Sequence, residues 1–130
     1  MAKDDTAQRT TLGRLKRRAD FLRVAAARRK WAAPGLILQV SNQPAEPLSD
    51  SLVRVGFTAS RKVGNAVMRN RARRRLRAVA AELIGRHAKP GLDLVLIART
   101  ETCARPFDEL KRDLLQGLKR TKAGRGGHDA

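Results

Sequence analysis

The chain has 130 residues, 29 Lys and Arg against 12 Asp and Glu, and a net charge of +17. Such an excess repels itself, so it points to a polyanionic partner, and nucleic acid leads because neutralised phosphates release counterions. The single cysteine, Cys103, excludes an intrachain disulfide. No apolar run is long enough to span a bilayer, and the polar first 20 residues exclude a signal peptide, so a cytoplasmic protein is expected.

In chain order, residues 1–13 mix charges with Thr, Ala and Gln and are expected to form a flexible arm. From Arg14 to about Lys30, Leu15, Ala19, Leu22 and Ala26 recur at helical spacing, widened by Phe21 and Ala25. Pro34-Gly35 breaks that segment. Gly35 to Ser41 is expected as a strand with Leu36, Leu38 and Val40 on one face and Ile37 on the other. Residues 42–51, with Pro44 and Pro47, are expected as a long mobile loop. Leu52 to Ala59 alternates as a second strand, and a further short strand is possible near Ala59 to Val63.

Ala66 to Ile84 is the strongest helix, with Ala72, Leu76, Val79, Ala80 and Leu83 on one stripe and Gly85 as the expected stop. Leu92 to Ala98 is nearly continuous in Leu, Val and Ile, as in a strand covered on both faces. A closing helix runs from Phe107 to about Leu118, with Asp108 and Glu109 suiting its N-terminal dipole. The tail, 121–130, is basic and Gly-rich and is expected to be disordered. The order α-β-β-(β)-α-β-α gives one α+β domain over 14–120, a mixed sheet with helices packed on it in a sandwich.

The chemistry concentrates between Arg61 and Arg77. These 17 residues carry eight basic side chains and no acidic one. Exposed helices ordinarily mix signs, yet here like charges stand at i,i+4: Arg69 with Arg73, Arg71 with Arg75, and Arg73 with Arg77. At about 100° per residue, Leu76, Val79 and Leu83 lie within roughly 40° of Ala72, while Arg73, Arg77, Asn70 and Arg74 occupy the far side. Guanidinium groups grip phosphate by paired hydrogen bonds, which lysine cannot do. Asn70 can bond a base edge or a 2′-hydroxyl, or equally fix a neighbouring arginine.

No residue set here suits hydrolysis by the protein itself. His87 and His128 are the only histidines, Cys103 has no local metal-ligand partner, and neither Asp4-Asp5 nor Asp108-Glu109 has metal-site spacing. P-loop and Rossmann glycine patterns are also missing. No catalytic residue and no metal ligand is therefore assigned.

The stretch from Val53 to Arg77, with Arg69-Asn70-Arg71 followed by Arg73, Arg74 and Arg77, resembles the signature of the bacterial ribonuclease P protein component. The basic run ending in Asp20-Phe21 is similar to that family's opening helix, and the resemblance extends over about Arg14 to Arg120. It implies an α-β sandwich with the arginine helix in a left-handed crossover between parallel strands. It also implies two partners, the catalytic RNA of ribonuclease P and precursor tRNA, whose 5′ leader is removed. Mg²⁺ would be held mainly by the RNA and substrate, and no obligate protein partner or membrane is implied. Carried over by position, Arg61, Lys62, Asn65, Arg69, Asn70, Arg71, Arg73, Arg74 and Arg77 face the RNA. Phe21 and Leu38 fall in the leader cleft, although Phe21 also suits a core position. Ala25 and Leu38 stand where relatives often carry aromatics, so base stacking contributes less here. Arg75 stands where relatives often have an apolar residue, and it receives no role. The alternatives are a small basic ribosomal protein with a structural role and a basic DNA-binding protein.

Overall fold

The computed structural model describes residues 10–44 and 52–125. Five strands and three helices follow in the order β1 (Thr11–Arg14), α1 (Arg18–Ala26), β2 (Arg29–Ala32), β3 (Leu36–Asn42), β4 (Leu52–Thr58), α2 (Ala66–His87), β5 (Leu92–Ala98) and α3 (Phe107–Arg120). The strands form one mixed sheet in the order β1-β4-β5-β3-β2. β4 and β5 are parallel neighbours, with α2 in the connection between them. β1 runs parallel to β4, and β3 runs antiparallel to both β5 and β2. The α+β expectation holds.

The two sheet faces are unequal. Leu38, Val55, Leu94 and Leu96 lie on the side that packs against Leu76, Val79 and Ile84 of α2 and Leu110, Leu114 and Leu118 of α3. This is the main core, and the stripe expected on α2 is its helical half. Among the described residues, the other face carries only α1, whose Val24 packs with Leu15 and Val95 and with half-buried Phe21 and Ile97. β5 is thus covered on both faces, as its nearly continuous apolar run requires.

Four local expectations need correction. The expected helix from Arg14 to Lys30 is trimmed to Arg18–Ala26 and flanked by β1 and β2. Arg28 adopts φ 59°, a left-handed conformation that reverses the chain so that Arg29–Ala32 pairs with β3. β1 takes in Thr11–Gly13, placed above in the arm, because Thr10 donates from its backbone to Gly85 O at 2.8 Å and anchors the strand. Gly85 does not stop α2, which continues to His87. A Cβ at Gly85 would stand 3.3 Å from Thr10 O, so its value is close approach. Instead of a strand, Arg61–Val63 forms one 3-10 turn, with Ser60 Oγ accepting from Lys62 N.

At the C-terminal end, Thr121 and Ala123 are buried and Gly124 bridges to Ala88, so the first tail residues are folded onto the domain. Lys122, at φ 61°, makes the left-handed turn, and Ala123 N donates back to Leu118 O at 2.8 Å. The arm at 1–9, most of the expected loop (45–51) and the tail at 126–130 lie outside the described residues.

Candidate nucleic-acid interface

The arginine helix starts from a rigid corner. Gly64 has φ 145°, which other residues rarely adopt, and a Cβ there would press to 3.0 Å on that of Met68. Asn65 caps α2 through its Oδ1, which accepts from Met68 N at 2.9 Å. Arg69 reaches back and donates to Gly64 O at 2.9 Å. The first turn of α2 holds no acidic residue, so its dipole and the nearby Arg61 and Lys62 favour an anion.

Past this corner the expected wall is present. Arg61, Lys62, Asn65, Asn70, Arg71, Arg74 and Arg77 are exposed, and Arg69 and Arg73 are half-buried. Among the described residues, none of these cations is paired with a carboxylate. Neutral groups aim several of them. Asn70 Oδ1 accepts from Arg73 Nη2, which meets one of the two uses foreseen for Asn70. The Arg77 guanidinium lies 5.3 Å from the centroid of the Phe57 ring, a cation–π contact. Arg75 gains a role that the sequence did not provide: its Nη1 donates to Thr102 O at 2.7 Å and Cys103 O at 2.9 Å, tying α2 to the loop after β5.

The second surface lies across the sheet, under α1. The Phe21 ring rests on Gly56 of β4, where a Cβ would come within 2.5 Å of it, and the side chain is half-buried. Ala25 is exposed on the same helix. Leu38 does not line this cleft. It is fully buried on the opposite face, against Gly117 of α3. Side chains alternate along a strand, so the β3 positions under α1 are its neighbours Ile37 and Gln39, both half-buried. Ile97 and Thr58 pair with one another on that side, next to Ile37.

A buried ion network fastens α1 over the sheet, and sequence reasoning missed it. Asp93 is 0% exposed. Arg54 grips it twice, Nε to Oδ1 at 2.9 Å and Nη2 to Oδ2 at 2.7 Å. Arg23 of α1 also bonds Asp93, and reaches Asp20 at 3.2 Å and Asn42 O at 2.9 Å. The hydrogen bonds it donates to Asp93 push the Arg54 guanidinium above its ordinary value. For Arg23, burial pulls downward but the bonds to Asp93 and Asp20 outweigh it. Among the described residues no three His, Cys, Asp or Glu side chains gather as metal ligands. The buried carboxylate is already saturated by guanidinium, so it does not fit a Mg²⁺ site. No described helix is long and apolar enough to cross a membrane.

Comparison with known proteins gives this geometry a context. The family model described as Ribonuclease P matches residues 10–122. A ribonuclease P protein component from Paramagnetospirillum magneticum is 58% identical over 119 residues, covering 92% of this chain and 90% of the relative. One from Ruegeria pomeroyi is 46% identical over 110 residues, covering 84% and 86%. Among solved structures, the RNase P protein of Staphylococcus aureus superposes with a TM-score of 0.67 at 26% identity, covering 85% of this chain and 95% of that one. That of Thermotoga maritima, at 23% identity and a TM-score of 0.64, covers 79% and 92% and shares the fold. With the arginine wall, the sheet and nearly the whole described chain included in these matches, the chain belongs to the ribonuclease P protein family.

Proposed function

We propose that the α2 wall grips the catalytic RNA of ribonuclease P and that the cleft under α1 holds the 5′ leader of precursor tRNA. The chain is a protein component of the ribonuclease P ribonucleoprotein, the endoribonuclease that matures tRNA 5′ ends. The ribosomal alternative has no support among these relatives. What carries the proposal is the exposed row of guanidiniums that has no carboxylate partner among the described residues, set opposite the Leu76 stripe that packs in the core. Arg61, Lys62, Arg71, Arg73, Arg74 and Arg77 contact phosphate, while Asn65, Arg69 and Asn70 hold the wall in shape. Phe21, Ile37 and Gln39 line the leader cleft. With few aromatics, leader binding relies on van der Waals contact and backbone electrostatics more than on stacking.

Hydrolysis belongs to the RNA and to Mg²⁺ held by RNA and substrate, and the protein supplies binding and orientation. The test is reconstitution. Added to ribonuclease P RNA at low Mg²⁺, the chain should raise cleavage of precursor tRNA. It should cleave nothing alone, and Cys103→Ser and His87→Ala should leave the stimulation intact. Cleavage by a nuclease-clean preparation without RNA would overturn the assignment of chemistry to the RNA.

A further inference from the structure

A second cationic surface lies at the far end of α2. Three segments distant in sequence meet there. The turn from α1 to β2 is fastened to the end of α3 by Arg29, whose Nε donates to Thr121 O at 2.7 Å and whose Nη2 donates to Lys122 O at 3.2 Å. The end of α2 is fastened to the same segment: Lys89 N donates to Ala123 O at 2.8 Å and Arg125 N to His87 O. The segments 28–31, 86–89 and 119–125 together hold nine Lys and Arg and no Asp or Glu.

Helix dipoles do not account for this number. A cation in the last turn stabilises a helix end, which explains one or two residues at each of two ends. Arg29 is committed to carbonyls, but Lys89, Lys119 and Lys122 are exposed and pair with no carboxylate among the described residues. The chain's only tryptophan lies in the same place. Trp31, half-buried on edge strand β2, has the Arg120 guanidinium 5.1 Å from its ring. Guanidinium on indole beside free ammonium groups is a surface that suits a phosphodiester backbone.

We infer that this end of the molecule is a separate contact for the phosphodiester backbone of the catalytic RNA, distinct from the α2 wall and from the α1 cleft. It rests on the functional reading above. Arg73 and Arg86 are 13 residues apart on one helix, roughly 20 Å at about 1.5 Å per residue. A partner that engages both must be large and structured, which fits the catalytic RNA better than a short single-stranded leader.

The test uses the full chain with Lys89, Lys119 and Lys122 changed together to Gln, beside Arg73→Ala/Arg74→Ala. Binding to ribonuclease P RNA is measured across salt concentrations, with melting temperature as the folding control. The triple variant should fold normally and lower the log–log salt slope by about 2–3, at roughly 0.7–0.9 per lost phosphate contact. Placing Arg instead of Gln at the three positions should restore it. Emission from Trp31 should change when the wild-type chain binds the RNA. An unchanged slope in the triple variant, with the Arg73/Arg74 variant impaired, would overturn this inference and leave the functional reading intact. If neither variant alters RNA binding, the functional reading fails first. A slope that changes only with precursor tRNA, or co-sedimentation with phosphatidylglycerol vesicles that the triple variant alone loses, would overturn the assignment to the catalytic RNA.

Discussion

Asp93→Asn should destabilise the domain more than any substitution in the arginine wall. The carboxylate is fully buried and accepts from two guanidiniums, one from β4 and one from α1. Removing one partner of a buried ion pair costs about 3–5 kcal/mol. The Arg23 and Arg54 side chains keep 32% and 17% exposure, so water relieves part of that cost, and about 2–4 kcal/mol remains. Unfolding entropy near 2.1 cal/mol/K per residue gives roughly 0.27 kcal/mol/K for this chain length, so the melting temperature should fall by about 7–15 °C. Thermal melting by circular dichroism measures it. Because Arg23 is α1's link to Asp93, the variant should also lose leader-dependent substrate binding while its salt-sensitive binding to the catalytic RNA persists below the melting range. A variant that melts within about 2 °C of wild type would refute the claim that this network holds α1 to the sheet.

Arg73→Ala with Arg74→Ala should reduce the salt slope for catalytic RNA by nearly one per lost contact and leave the melting temperature almost unchanged; collapse of stability with intact affinity would make the wall structural. Phe21→Ala should weaken capture of precursor tRNA with a leader by up to about 1–3 kcal/mol and spare mature tRNA. Equal losses for both substrates, or general unfolding in the parallel melt, would assign Phe21 to the core. Arg75→Ala removes two bonds to the loop after β5 and should cost about 1–3 kcal/mol of stability by urea titration, with little change in salt slope.

Legibility in the sequence followed the length and the burial of each element. α2, α3 and β5 are long or strongly patterned, and their apolar periods give both their existence and their buried sides. β1 and β2 have four residues each and are largely exposed, so no apolar alternation marks them. β2 also lies inside a basic run with helical spacing, and it begins after Arg28, a non-glycine in the left-handed region that leaves no sequence signal. The family resemblance puts Leu38 in the cleft, and alternation does not correct it, because it separates the faces of a strand without saying which of them a distant helix will cover. That depends on β3 pairing with β5 between the two helical layers. Asp93 lies inside the most apolar run of the chain, and its cross-strand neighbour Arg54 together with Arg23 of α1 explains how it is buried.

The like-charged pairs on α2 also take on a different meaning in three dimensions. Arginines at i,i+4 repel in an isolated helix by a few tenths of a kcal/mol per pair. Here one member of each pair is drawn away by a neutral acceptor: Arg69 to Gly64 O and Arg75 to the Thr102 and Cys103 carbonyls. Arg73 leans on Asn70, and Arg77 on the Phe57 ring. Arg71, the outward member of its pair, and the neighbouring Arg74 are thereby spaced rather than crowded. Anchoring also removes side-chain freedom before RNA arrives, so less entropy is lost on binding, where ordering a long side chain costs about 0.5–1.5 kcal/mol. On the proposed reading the wall presents its guanidiniums to phosphate in fixed directions, and charge alone would not reproduce it. Lysine at 69 or 75 keeps the charge but lacks the planar fork that reaches these carbonyls. If the wall binds RNA as proposed, the acceptors around α2 are as much a part of that design as the guanidiniums they hold.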